Sequence, residues 1–252
     1  SLGGRYGTQH QTTSVSACLA FAQAIGAVAA HRPDAMTALD RALETDPHLV
    51  AAHTLRGLAQ VILARPETIA AARAALTRAR SAAAERGADC TKDERALLDA
   101  LVLGIEDHLL AVADRLDLAL ARNPGALLLL KLSHTLRFMT GDTPGMLRTT
   151  TMALQACVPD VPGYGFLLGC HAFALGEAGD LAGAERFGRR AVEREPHNAW
   201  ALHAVAHVHE TRGRNARTAQ GGYRLDRGGA VGLGRLQQFR LPSGLAPRPV
   251  PS

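Results

Sequence analysis

Alanine-lined amphipathic runs alternate with short polar punctuation along most of this chain, and each run has the length and spacing of a helix. The first, Ser16–His31 (SACLAFAQAIGAVAAH), has Ser14 or Ser16 in place as an N-cap and is closed by Arg32-Pro33. Proline pushes the residue before it out of the helical region, so this is a natural stop. Pro33 then occupies the tolerated first-turn position of a second helix, which passes through Leu39 and Leu43 to Glu44 and stops at Asp46-Pro47. The unit repeats as His48–Ala64 with Glu67–Arg86, Lys92–Asp107 with Leu109–Arg122, and Ala126–Thr140 with Met146–Cys157. Tyr164–Ala178 with Leu181–Arg194 follows, and Ala199–Arg212 closes the series.

The punctuation is regular. The first helix of a pair ends in Gly-Asp (Gly141-Asp142, Gly179-Asp180) or Gly-Arg (Gly213-Arg214), and the second ends in an acidic or amide residue plus proline. Gly141 and Gly179 are 38 residues apart, and Gly179 and Gly213 are 34 apart. A helix–turn–helix period near 34 is the signature of tetratricopeptide-type repeats. In GDLAGAERFGRRAVEREPHNAWALHAVAHVHETRGR the small residues Ala182, Ala184 and Ala191 fall where neighbouring helices would touch. One such unit cannot bury its apolar stripe alone, so the units must stack. The expected fold is all-α, a right-handed α-solenoid of about five and a half TPR-like helical pairs. The expected divisions are an extended segment over 1–14, the repeat domain over 15–213, and an irregular Gly/Pro/Arg-rich tail over 214–252.

Composition narrows the class further. The 252 residues include 47 alanines and only 4% aromatics, which favours helix over a barrel or sandwich. Cys18, Cys90, Cys157 and Cys170 form no CxxC pair, so neither a disulfide framework nor a zinc-finger spacing is present, and a cytoplasmic protein with reduced thiols is expected. The longest charge-free apolar stretch, Val161–Gly176, contains four glycines and falls short of a membrane span. Ser1–His10 is polar and Gly-rich, unlike a signal peptide. The net charge of +5 is confined to the end: residues 214–252 carry seven Arg against Asp226, while the rest holds 21 basic and 22 acidic groups. A basic tail can bind nucleic acid by counterion release, but the origin of this tail argues for no nucleic-acid partner.

NAWALHAVAHVHETRGR (Asn198–Arg214) closely resembles a motif of the tetratricopeptide repeat protein 38 family, also called StaR-like. The likeness extends to DPHLVAAHTLRGL (Asp46–Leu58) and TTSVSACLAF (Thr12–Phe21), and covers about residues 10–214. The family pattern continues with an EGxxWL-like segment and a run resembling CNNFAYHLAWHRALFHL, where this chain has its basic tail. One fixed codon offset recovers that pattern: Gln237-Gln238-Phe239 then encodes Asn-Asn-Phe, Arg240–Ser243 encodes Ala-Tyr-His-Leu, and Gly244–Ala246 encodes Ala-Trp-His. Residues from about Ala216 to Ser252 are therefore expected to be an out-of-frame translation. An uninterrupted frame with other codons in the DNA of this locus would overturn that expectation. Seven glycines and four prolines from residue 214 onward fit a stretch unable to continue the helices.

The sharpest candidate chemistry is His203, His207, His209 and Glu210. His203 and His207 share a helix face at i, i+4, and Glu210 joins His207 at i+3, a donor set suited to Zn or Fe. Set against this, imidazoles between repeats also serve as hydrogen-bonded packing residues. Trp200, His203, His207, His171 and His53 fall on first helices of their pairs and are expected to line a partner groove. Cys157 and Cys170 lack an identifiable base and read as small buried hydrophobes. GYGFLLG (Gly163–Gly169) lacks the strand and spacing of a dinucleotide loop, and there is no GxSxG elbow. Arg189, Arg190 and Arg194 form a basic helix face, either solvated or an anchor for a peptide carboxylate. The resemblance implies an interaction scaffold for a protein or peptide; no membrane contact is expected from the apolar stretches, and no cofactor is expected apart from Zn or Fe at the His cluster. The alternative is a metal- or flavin-dependent, hydroxylase-like enzyme, although no flavin or nucleotide fingerprint is present.

Overall fold

A computed structural model describes residues 2–86 and 90–211, with side chains between residues 4 and 208. Within these residues the protein is all-α apart from two two-residue strands. In chain order the elements are β1 (Leu2–Gly3), β2 (Gln9–His10), α1 (Val15–Ala29), α2 (Ala35–Thr45), α3 (Val50–Ile62) and α4 (Pro66–Arg86). They continue as α5 (Lys92–Ile105), α6 (Leu109–Leu120), α7 (Leu127–Met139), α8 (Thr143–Ala156), α9 (Tyr164–Glu177), α10 (Leu181–Arg194) and α11 (Ala199–Thr211). The tail over 214–252, including the stretch read as out of frame, lies outside the described residues. No described helix is long and apolar enough to cross a membrane.

Local chemistry explains where the helices start. Ser14 accepts from the Ala17 N–H at the head of α1, and Thr91 with Glu94 forms a reciprocal capping box on α5. Asp142 and Asp180 cap α8 and α10 by accepting from Gly145 and Gly183. The Asp142 cap starts α8 at Thr143, three residues ahead of the expected Met146, because Pro144 is tolerated in a first turn. In both caps a β-carbon on the glycine would run into the capping carboxylate, which accounts for the repeated Gly-Asp-x-x-Gly.

The helix ends carry a stronger regularity. Helices α1, α3, α5, α7 and α9 are each followed closely by a left-handed residue: His31 (φ 54°), Ala64 (53°), Asp107 (62°), Gly141 (73°) and Gly179 (87°). These positions are 33, 43, 34 and 38 residues apart. Four of the five close with the pair of bonds of a Schellman motif; in the first, His31 N–H donates to Val28 O and Arg32 N–H to Ala27 O. Left-handed backbone costs a side-chain-bearing residue about 1–2 kcal/mol, so His31, Ala64 and Asp107 hold it against local preference.

Each odd-numbered helix from α1 to α9 packs on the even-numbered helix that follows it. In addition α3 packs on α5, α7 on α9, and α1 reaches across to α7. Close approach relies on missing side chains: a β-carbon on Gly57 would lie 2.6 Å from Leu101 Cδ2, and one on Gly188 2.7 Å from Val205. One large apolar core runs from Phe21 and Ile25 through Leu55, Leu101, Leu116 and Leu128 to Leu168.

Residues 4–12, expected to be merely extended, are tied down. β2 pairs antiparallel with β1 around a turn at Gly7 (φ 73°). Tyr6 O accepts from the Leu127 N–H, and Gly7 O from the Asn123 amide. Gln9 N–H donates to Asp93 (2.8 Å), and Gln11 N–H to Glu94 (3.0 Å). Arg86 donates to Gln11 O and to Asp46, which also accepts from Thr12. The segment therefore straps the ends of α2, α4, α5 and α7.

Candidate functional site

Of the residues singled out from sequence, Trp200, His203 and His207 come together on α11. Their ring centroids are 6.5 Å apart for Trp200–His203 and 6.0 Å for His203–His207, and His203 lies 5.7 Å from Phe173 of α9. The side chains of His209 and Glu210 lie outside the described residues, so the proposed metal set is seen only in part. Among the described residues no group of three or more His, Cys, Asp or Glu is arranged to hold a metal. His171 and His53 lie on α9 and α3. His171 Nδ1 is 2.9 Å from Thr150 Oγ1 and its ring packs edge-on to Phe187, joining α9 to α8 and α10. His53 Nε2 lies 2.7 Å from Pro47 O and ties α3 to the turn after α2.

The Trp200 ring is instead the hub of a cluster that sequence reasoning missed. Its neighbours are His31 (5.2 Å between centroids), His134 (5.7 Å), Phe138 (5.5 Å) and Phe173 (4.1 Å). Lys131 Nζ sits 5.3 Å from the Trp200 ring centroid, a cation–π distance, and 3.4 Å from His31 Nε2. The buried Cys170 thiol lies near enough to interact with the ammonium; its pKa is pushed up by burial and partly pulled back by Lys131. Residues from α7, α9, α11 and the left-handed turn at His31 are thus gathered at one point.

The electrostatics are unusual. Lys131 is 2% exposed, and no carboxylate pairs with it among the described residues. Burial lowers its pKa, with Cys170 opposing. His134 is fully buried, and burial together with the neighbouring Lys131 holds its imidazole well below the usual range. His31, at the exposed rim, is biased toward neutrality by the same two causes in the same order. Neither ring nitrogen of His134 has a hydrogen-bond partner, and neither has the Trp200 indole N–H.

Helix α7 supplies its own comparison. Six residues beyond Lys131, the guanidinium of Arg137 is also buried, yet it is satisfied by Asp114 (2.6 Å), Asp117 (2.7 Å) and Asp142. Asp117 accepts further bonds from Ser133 (2.5 Å) and Thr149 (2.6 Å). Among the described residues, one buried cation on this helix has three carboxylates and the other has none. The sequence held a trace of this contrast, because Lys131 is the lone charge in LLLLKL (Leu127–Leu132) and His134 follows one turn on.

Chemically, the cluster offers N–H donors walled by aromatic rings, with few acceptors to receive them. Such a set suits an anionic or carbonyl oxygen, while the His203–His207 pair on the next turn of α11 offers two imidazoles to a metal. No family model and no solved structure matches this chain.

Proposed function

We propose that the protein is a TPR-like helical-repeat scaffold, a right-handed solenoid whose Trp200–His203–His207 face takes a protein or peptide partner. The observation that carries this reading is the recurrence of left-handed ends on α1, α3, α5, α7 and α9, which marks a helix-pair unit repeated along the chain. Repeat arrays of this kind present one face built from the first helices of successive pairs, and binding concentrates there. On this chain that face carries the half-exposed Trp200, an aromatic of the type enriched where interfaces concentrate their energy. The resemblance to the tetratricopeptide repeat protein 38 family points the same way, and the cysteine spacing supports a cytoplasmic protein with reduced thiols. Screening the full chain against a peptide array is the test. A defined subset of peptides is expected to bind and to lose at least tenfold in affinity on Trp200→Ala, with helicity unchanged by circular dichroism. No bound peptide, or equal binding by the variant, would refute the scaffold reading.

A second reading, a metal- or flavin-dependent enzyme, draws on the His203–His207 pair. Elemental analysis of the purified chain separates the two. Stoichiometric Zn or Fe that disappears in His203→Ala and His207→Ala favours the enzyme.

A further inference from the structure

The Lys131 cluster has a chemical imbalance that its own residues do not resolve. Lys131 brings three donors and no acceptor, and Trp200 brings one donor and no acceptor. A neutral His134 brings one of each, with neither used. Among the described residues, the other side offers the weak acceptor Cys170 Sγ and, in one tautomer, His31 Nε2. A buried cation without a counter-charge costs several kcal/mol, and unmade buried hydrogen bonds add to that cost. Arg137, in the same helix, shows how this chain pairs a buried cation when the partner is its own. Among the described residues, what the Lys131 cluster lacks is a compact negative group with several lone pairs.

We propose that Lys131, His134 and Trp200 form a subsite for a single carboxylate group supplied by a bound ligand. A carboxylate carries about four lone-pair positions on two oxygens and neutralises the ammonium. The rings of Phe173, Phe138 and Trp200 pack edge-on against one another beside it, with centroids 4.1 Å apart for Phe173–Trp200 and 5.1 Å for Phe138–Phe173. The carboxylate reaches the site from the rim where His31 is exposed and Trp200 half-exposed. It is either the end of a peptide partner or a free small acid. The first source rests on the scaffold reading; the second does not.

The protein contains its own reporter, since Trp200 is the sole tryptophan. Titrating the full chain with acetate at constant ionic strength is expected to give a saturable change in tryptophan emission and a rise in Tm. Lys131→Met removes both responses while keeping helical circular dichroism. Lys131→Gln, which keeps the stem and a donor but not the charge, weakens binding at least tenfold and serves if the methionine variant does not fold. A short peptide that acts at lower concentration than acetate, and whose C-terminal amide is inert, identifies a chain terminus as the source. Equal potency of peptide and acetate identifies a free acid. No saturable change, an undiminished response in the Lys131 variants, or a response to phosphate alone would each overturn the carboxylate subsite. Peptide-array binding that survives such a result leaves the scaffold reading intact.

Discussion

Replacing Arg137 by alanine is expected to lower stability by about 3–5 kcal/mol, the usual cost of removing one partner from a buried ion pair. The reason is geometric. The guanidinium side chain is 4% exposed and bonds Asp117, itself only 21% exposed, together with Asp142. Asp117 also gathers Ser133 and Thr149, so it links α6, α7 and α8. Without Arg137, Asp117 stays behind as a half-buried anion on hydroxyl partners alone, and the Asp142 cap on α8 loses its brace. Asp114 is 67% exposed and contributes little, as surface ion pairs generally do. Urea denaturation of wild type and Arg137→Ala measures the difference, and Asp117→Ala completes a cycle. The double variant should cost clearly less than the two single losses combined, because each single change orphans the other group. A loss below about 1 kcal/mol in Arg137→Ala, or strict additivity, would show that the network is dispensable.

The second large effect is acid sensitivity. His10, His53, His134 and His171 are all buried, and burial lowers the pKa of each below its ordinary 6.5. In His10 a bond to Thr8 and the nearby Glu94 oppose the shift, and in His171 Asp180 does so. Below pH 6.5 the unfolded chain takes up protons that the folded chain refuses. The unfolded state then binds more protons, so stability rises with pH in this range and is lost on acidification. The stabilising contribution is complete above the unfolded value and declines as pH falls toward the folded ones. For His134, held well below 6.5 with Lys131 beside it, the loss is about 1.4 kcal/mol per pH unit. Urea midpoints should fall steadily from pH 6.5 to 5. His134→Phe, which removes the proton acceptor and keeps an aromatic ring, should flatten part of that slope. Equal stability at pH 7.5 and 5 would contradict the assignment of these imidazoles as neutral.

Much of the helical order was legible because proline and glycine mark it. Asp46-Pro47 and Glu195-Pro196 end α2 and α10, and Gly141 and Gly179 follow α7 and α9 as expected. The same left-handed turn after α1, α3 and α5 was hidden, since His31, Ala64 and Asp107 do not advertise it. Local Schellman bonds at His31 and Asp107, together with the packing of the helix pairs, hold side-chain-bearing residues in that conformation. The residues around Trp200 escaped notice for a related reason. Lys131 reads as an ordinary polar position in a leucine-rich helix until α1 is seen to dock on α7, which brings His31 beside it. His53 and His171 match the helix positions expected of groove residues. Their bonds to Pro47 O and Thr150 show that helix position does not fix what an imidazole touches.

The strap formed by residues 4–12 bears on how the molecule is made. Its partners Asp93, Glu94, Asn123 and Leu127 lie 83 to 121 residues downstream. During synthesis the early helices can pair locally, but this clasp stays open until α7 has emerged from the ribosome. Long sequence separation slows such closures, so joining the strap is a late event in folding. Bulky fusions placed just ahead of Gly4 would delay it further and leave the first half of the array loosely latched.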